Sequence, residues 1–243
     1  MWLLGAGALA LAVFAIACHG LGDPRHVSTM HTVAEFENYC WDAQSGMSEA
    51  DFETLLSDTL WRTEDERDWD GLGGNKVFFF PQGTVAECQQ EFPDEAYIQY
   101  IVKNGGCGGF SCVEHFPTSP DCYPSSRPGV NHCHYPHQHV TLRAESLVNE
   151  DTARHVVNHE TGHVLGLNDA CNPIQPRDPD CPQIGWQYCR VEIPVLGLTV
   201  WIDSIMHAPP SYCFSYGVFR DWPTPLDEEG AGNIIDQEDV PTP

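Results

Sequence analysis

Residues 159–169 read HETGHVLGLND, and this stretch constrains the fold more than any other part of the chain. His159 and His163 are four residues apart, so on an α-helix they project from one face as neighbours. Glu160 is rotated from His159 by roughly 100° and stands beside the imidazole pair. Gly166 falls where such a helix would stop, because glycine tolerates the left-handed backbone of a sharp reversal. A chain that turns back there can carry the side chain of Asp169 toward the two imidazoles. The stretch therefore demands a helix, a glycine turn and a return path.

The flanking sequence supports the helix. NEDTARHVVNHETGHVLG offers Asn149 and Asp151 as N-caps, with acidic side chains where the helix dipole favours them. Ala153, Val156, Val157, Thr161, Val164 and Leu165 form an apolar stripe of helical period. His155, one turn before His159, shares its face and reads as an outer-sphere or solvent-facing residue.

Two neutral imidazoles suit Zn²⁺, and an adjacent carboxylate outside the ligand set can take a proton from a metal-bound water. With Asp169 as third ligand, one coordination position stays open, as a catalytic zinc requires. H-E-x-x-H on a helix carries this reading. The plain alternative is a surface helix that carries His, Glu and His without a ligand.

The longer pattern decides between them. H-E-x-x-H-x-x-G-x-x-H followed by a Met-turn is the metzincin signature, and HETGHVLGLND resembles it with aspartate in the third ligand position. That variant is similar to the snapalysin family of small secreted bacterial neutral proteases. DSIMHAPP resembles the Met-turn, with Met206 as the floor beneath the metal, and TPLDEEGAGNII resembles the closing helix. The likeness covers about residues 151–235. Many metzincins carry a tyrosine two residues beyond the methionine, where this chain has Ala208; Tyr212 is the nearest candidate.

The resemblance implies an α/β (α+β) metzincin-like zincin. Its mainly parallel, twisted sheet packs on an active-site helix, and a loop-rich, disulfide-stapled C-terminal part ends in the closing helix. It implies zinc held by His159, His163 and Asp169, Glu160 as the catalytic base, and hydrolysis of protein or peptide substrates. It also implies that the strand in HVTLRAES, leading into the helix, lines the cleft and pairs with substrate backbone.

The first twenty residues, MWLLGAGALALAVFAIACHG, are apolar from Trp2 to Ala17 and uncharged, which suits a secretory signal. AIAC also resembles a lipoprotein cleavage box with Cys18 as the acylated residue. We read 1–22 as signal peptide or lipoprotein leader and 23–243 as one zinc metallopeptidase domain, expected to be a monomer. Of the eleven cysteines, ten follow Cys18, an even number without a CxxC pair. Five disulfides in an exported, oxidised protein account for them. Proximity favours Cys107–Cys112 and a bridge among Cys171, Cys181 and Cys189. Cys40 has a second reading, as a zinc-blocking cysteine in a propeptide.

Eleven basic against thirty-five acidic residues give a net charge of −24. Such a surface repels nucleic acid and anionic membranes, which argues against both as partners beyond an N-terminal lipid anchor. The acidic stretches RTEDERDWDG (62–71) and DPD (178–180) are Ca²⁺ candidates, although neither has EF-hand spacing.

Elsewhere the pattern alternates helix and strand. Ser48 caps a helix with Phe52, Leu55, Leu56, Thr59 and Leu60 inward; NKVFFF, AYIQYIV and SCVEHF read as strands; and TVAECQQEF is a short helix with a Thr84/Glu87 capping box. Residues 117–137 read as Pro-rich loop. Within and just beyond it, His132, His134, His137 and His139 are either a second metal site or a polar loop pinned by Cys133. Two other classes bear on function. A binding module without turnover would not need Glu160, and a gluzincin would need a ligand glutamate on a second helix, for which Glu192 is the candidate.

Overall fold

The computed structural model describes residues 29–31, 36–60, 78–91, 97–116, 121–124, 131–134, 137–167, 190–193, 198–201, 205–206, 223 and 227. In chain order the elements are β1 (Thr29–His31), β2 (Phe36–Ala43), α1 (Glu49–Leu60), β3 (Phe78–Thr84), α2 (Val85–Glu91), β4 (Tyr97–Lys103), β5 (Cys112–Phe116), β6 (Asp121–Pro124), β7 (Asn131–His134) and β8 (His137–Arg143). A 3₁₀ turn (Ala144–Ser146), α3 (Glu150–Val164), β9 (Arg190–Ile193) and β10 (Leu198–Trp201) follow. Five strands form one sheet in the order β3-β2-β4-β8-β5, parallel throughout except for β5, which runs antiparallel to β8. The expected α/β organisation with a mainly parallel sheet is present.

Residues two apart along a strand share a face. Tyr39 and Trp41 of β2, Tyr100 and Val102 of β4, and Val140 and Leu142 of β8 accordingly meet on one side. There they pack with Phe52, Leu56 and Leu60 of α1 and with Ala153, Val157 and Val164 of α3. Burying a side chain of this size stabilises by roughly 1.5–3 kcal/mol, so this layer holds α3 to the sheet. The ends of α1 and α2 are capped as expected. Ser48 Oγ accepts from Asp51 N–H at 3.1 Å. Glu87 Oε2 accepts from Thr84 N–H at 2.8 Å while Thr84 Oγ1 accepts from Glu87 N–H at 3.3 Å. The Thr84 backbone N–H, joined by its hydroxyl, holds the Glu87 carboxyl below the ordinary carboxylate value.

Cys40 lies between Tyr39 and Trp41 and so faces the other way, where it forms a disulfide with Cys88 of α2. That bridge replaces the zinc-blocking reading of Cys40: its sulfur is tied up on the side of the sheet opposite α3. Cys107 and Cys112 form the short-range disulfide expected from their spacing.

The structure departs from the sequence reading at three places. Residues 117–137 are not loop throughout, because β6 and β7 pair antiparallel and β1 adds to β7 in a separate three-stranded sheet. Backbone pairing, which composition does not encode, brings 29–31 alongside 131–133. The strand β2 carries no β-branched residue, and Phe36, Tyr39 and Trp41 are its strand formers, spaced among the strand-poor Glu37, Asn38 and Asp42 that hide it in the sequence. Third, β8 is not the cleft-edge strand. It pairs with β4 on one side and β5 on the other, so its backbone groups are already committed to the ladder. Among the described residues β5 is the one that pairs with β8 alone.

The leader 1–22, both calcium-candidate stretches, Cys171, Cys181 and Cys189, and Ala208 and Tyr212 lie outside the described residues. Among those described, no helix is long and apolar enough to cross a membrane.

Candidate metal centre

The helix α3 starts where the sequence offered two caps, and the structure selects Asn149. Its side chain accepts from Asp151 N–H at 3.0 Å and from Thr152 N–H at 3.3 Å. From Ala153 onward the helix is almost wholly buried, polar residues included. His159 is 8 % exposed and Glu160 6 %. A glutamate that deep is unusual on a plain amphipathic helix, where the polar face meets water. The surface-helix alternative therefore fails on burial.

The helix ends in a reversal at Gly166, whose φ is +88°. Gly166 N–H donates to His163 O at 3.0 Å and Leu167 N–H to Gly162 O at 2.9 Å, the paired bonds of a Schellman cap. The reversal has a second effect. It brings the Leu167 carbonyl back over the helix end, where it accepts from His163 Nδ1 at 2.8 Å. His159 Nδ1 makes the matching bond to the carbonyl of Ile205 at 2.9 Å.

A carbonyl oxygen can only accept, so Nδ1 carries the proton in both rings. In the neutral imidazole, Nε2 then holds the lone pair, on the side away from the anchoring carbonyl. The two rings stand edge to face, with centroids 4.9 Å apart and planes at 89°. Metal-ligating histidines have this arrangement as a rule, with the second ring nitrogen bonded to a carbonyl or carboxylate that sets tautomer and orientation.

Behind them, His155 stacks on His159 with centroids 5.9 Å apart and planes at 24°. It is buried, 3 % exposed, which corrects its solvent-facing reading and leaves it as the aromatic backing of His159. Ile205 and Met206 are both fully buried. The Ile205 N–H donates to Asp227 Oδ2 at 2.8 Å, and Asp227 is itself fully buried. From the sheet side, the Tyr100 hydroxyl lies 2.9 Å from Thr161 Oγ1, whose own proton goes to Val157 O at 2.7 Å.

His159, Glu160 and His163 are thus brought together on one helix, with Met206 in the adjoining turn. Asp169 lies outside the described residues, two positions beyond Leu167. Among the described residues no group of three His, Cys, Asp or Glu side chains is placed to hold a metal. The other ligand candidates are dispersed. His132 and His134 lie on β7 in the small sheet, whereas His137 and His139 lie on β8. His139 alternates with the core residues Val140 and Leu142 and so takes the sheet face opposite α3. Glu192 sits on β9, paired with Thr199 of β10, where a gluzincin would need a helix.

Reading the sequence alone missed Asp227 and the carbonyls of Leu167 and Ile205. A backbone carbonyl has no residue signature, and Asp227 stands among Asp-Glu-Glu with nothing to single it out. No protein-family model, curated protein or solved structure matches the chain.

Proposed function

We propose that this chain is an exported zinc endopeptidase of metzincin type. The observation that carries the reading is the pair of Nδ1 anchors: the buried imidazole of His159 and the half-buried one of His163, one turn apart, each with its proton held on a backbone carbonyl. Chemically this donor set fits zinc, because neutral Nε2 lone pairs are what the ion takes and the buried Glu160 carboxylate supplies compensating negative charge. His159, His163 and Asp169 would hold the ion, Asp169 by the likeness of its spacing to the metzincin motif. Bound zinc would supply a Lewis acid for a peptide carbonyl.

The chain's own residues do the rest. Glu160, adjacent to His159 and mostly shielded from water, takes the proton of the attacking water and hands it to the leaving amine. The carbonyls of Leu167 and Ile205 keep the imidazoles from rotating out of position. Among the described residues β5 pairs on one side only, and such an edge suits an extended peptide, whose backbone it can recognise without regard to side-chain identity. The Cys40–Cys88 and Cys107–Cys112 disulfides favour an oxidising compartment.

The test is metal content together with chelator-sensitive proteolysis. Purified protein is expected to carry equimolar zinc and to cleave casein, to lose cleavage with a chelator, and to regain it on adding zinc. A folded protein that neither takes up zinc nor cleaves casein refutes the proposal.

A further inference from the structure

Three segments far apart in sequence meet at Ile205. Its carbonyl accepts from His159 Nδ1, 46 residues earlier, and its N–H donates to Asp227 Oδ2, 22 residues later. The backbone of one residue therefore joins a buried carboxylate to a buried imidazole. A single peptide turn has rotational freedom at φ and ψ, and the direction of the Ile205 carbonyl depends on both. Holding the N–H with a carboxylate, the stronger kind of acceptor, removes most of that freedom. The side chains of Ile205 and Met206, fully buried, restrict what remains.

We propose that Asp227 is a positioning residue for the metal centre: through Ile205 it fixes the tautomer and orientation of His159 and so sets metal affinity. The assignment rests on the zinc reading for its consequence, but not for the geometry. It is also selective. His163 is anchored by Leu167, inside its own helix cap, and has no link to Asp227 through that bond. Loss of Asp227 should loosen one imidazole and spare the other.

That asymmetry gives the experiment. Full-length Asp227→Asn and Asp227→Ala are compared with wild type, first free of metal, by ¹⁵N resonances of the histidine rings. In Asp227→Ala the His159 Nδ1–H is expected to exchange with water at least about tenfold faster and to show mixed tautomers, while His163 stays as in wild type. Zinc affinity, measured by chelator competition, should fall roughly 10–100-fold, as is usual when an outer partner of a ligand is removed. In Asp227→Asn the amide oxygen can still accept from Ile205 N–H, so the loss should be partial. Should the alanine variant fail to fold, the asparagine variant carries the test, with the same split between the rings at smaller size. Unchanged His159 signals, or His159 and His163 loosened alike, overturn the assignment. Wild-type protein that binds no zinc counts against the proposed function alone, because the ring signals still decide the role of Asp227.

Discussion

The Tyr100 hydroxyl of the central strand β4 donates to Thr161 Oγ1 on the helix α3, 2.9 Å away and fully buried. The direction follows from the second bond: the Thr161 proton is already given to Val157 O, so the phenol supplies the other. This link spans sheet and helix one residue from Glu160. Apolar packing resists separation of the two layers, but a directional bond resists sliding as well, which holds the helix in register under the site.

Tyr100→Phe removes that donor while keeping the ring. Stability is expected to fall by about 1 kcal/mol, the usual net worth of a neutral buried hydrogen bond. Urea unfolding of Tyr100→Phe, Thr161→Val and the double variant checks it. Single-variant losses that simply add would show that the two groups are not coupled.

Glu160→Gln keeps shape and burial but cannot take a proton. Casein cleavage should drop roughly 10²–10⁴-fold, the range for loss of positioned acid–base catalysis, with zinc content and unfolding midpoint near wild type. Cleavage within twofold of wild type removes Glu160 from the mechanism.

Gly166→Ala forces a Cβ into a backbone at φ +88°. A cost of about 1–2 kcal/mol is expected from the left-handed conformation. Because the same turn delivers the Leu167 carbonyl to His163, zinc affinity should weaken too. Calorimetry and chelator competition read the two effects, and a change in stability without one in affinity would uncouple the cap from the site.

Asp169→Ala is expected to cut both zinc stoichiometry and activity, leaving two imidazoles and an over-open site. Asp169→His should restore zinc binding in part, since histidine is the common residue at this spacing in metzincins, while activity stays low because an imidazole is longer than the carboxylate it replaces. Elemental analysis of the folded variants decides. A fully zinc-loaded, active Asp169→Ala protein would eliminate Asp169 as a ligand.

Joining β2 to α2, the Cys40–Cys88 bridge closes a loop of 48 residues. Loop-closure entropy puts its contribution at about 4 kcal/mol. Replacing both cysteines by alanine should lower the unfolding midpoint accordingly, and alkylation of the unreduced protein should label none of Cys40, Cys88, Cys107 or Cys112. Labelling at Cys40 would return it to the pool of metal ligands.

Local chemistry was legible along the chain. The spacing of His159 and His163, the stop at Gly166 and the Thr84/Glu87 box each depend on a few adjacent residues, and each took the form its residues prescribe. The same holds for Cys107–Cys112, whose partners lie within one turn. Long-range pairing was not legible, for lack of any local mark. Nothing in FENYCWDA shows that it lies between β3 and β4, and nothing in NHCH shows that it takes β1 as a neighbour. Spacing could propose that two imidazoles face one way, but which nitrogen of each ring carries the proton depends on carbonyls supplied by Leu167 and Ile205. One of these is local to the helix cap. The other is 46 residues away and is held by Asp227 from a third segment, so the state of His159 is a property of tertiary packing: an imidazole has two nearly equivalent tautomers, and a distant backbone acceptor selects between them.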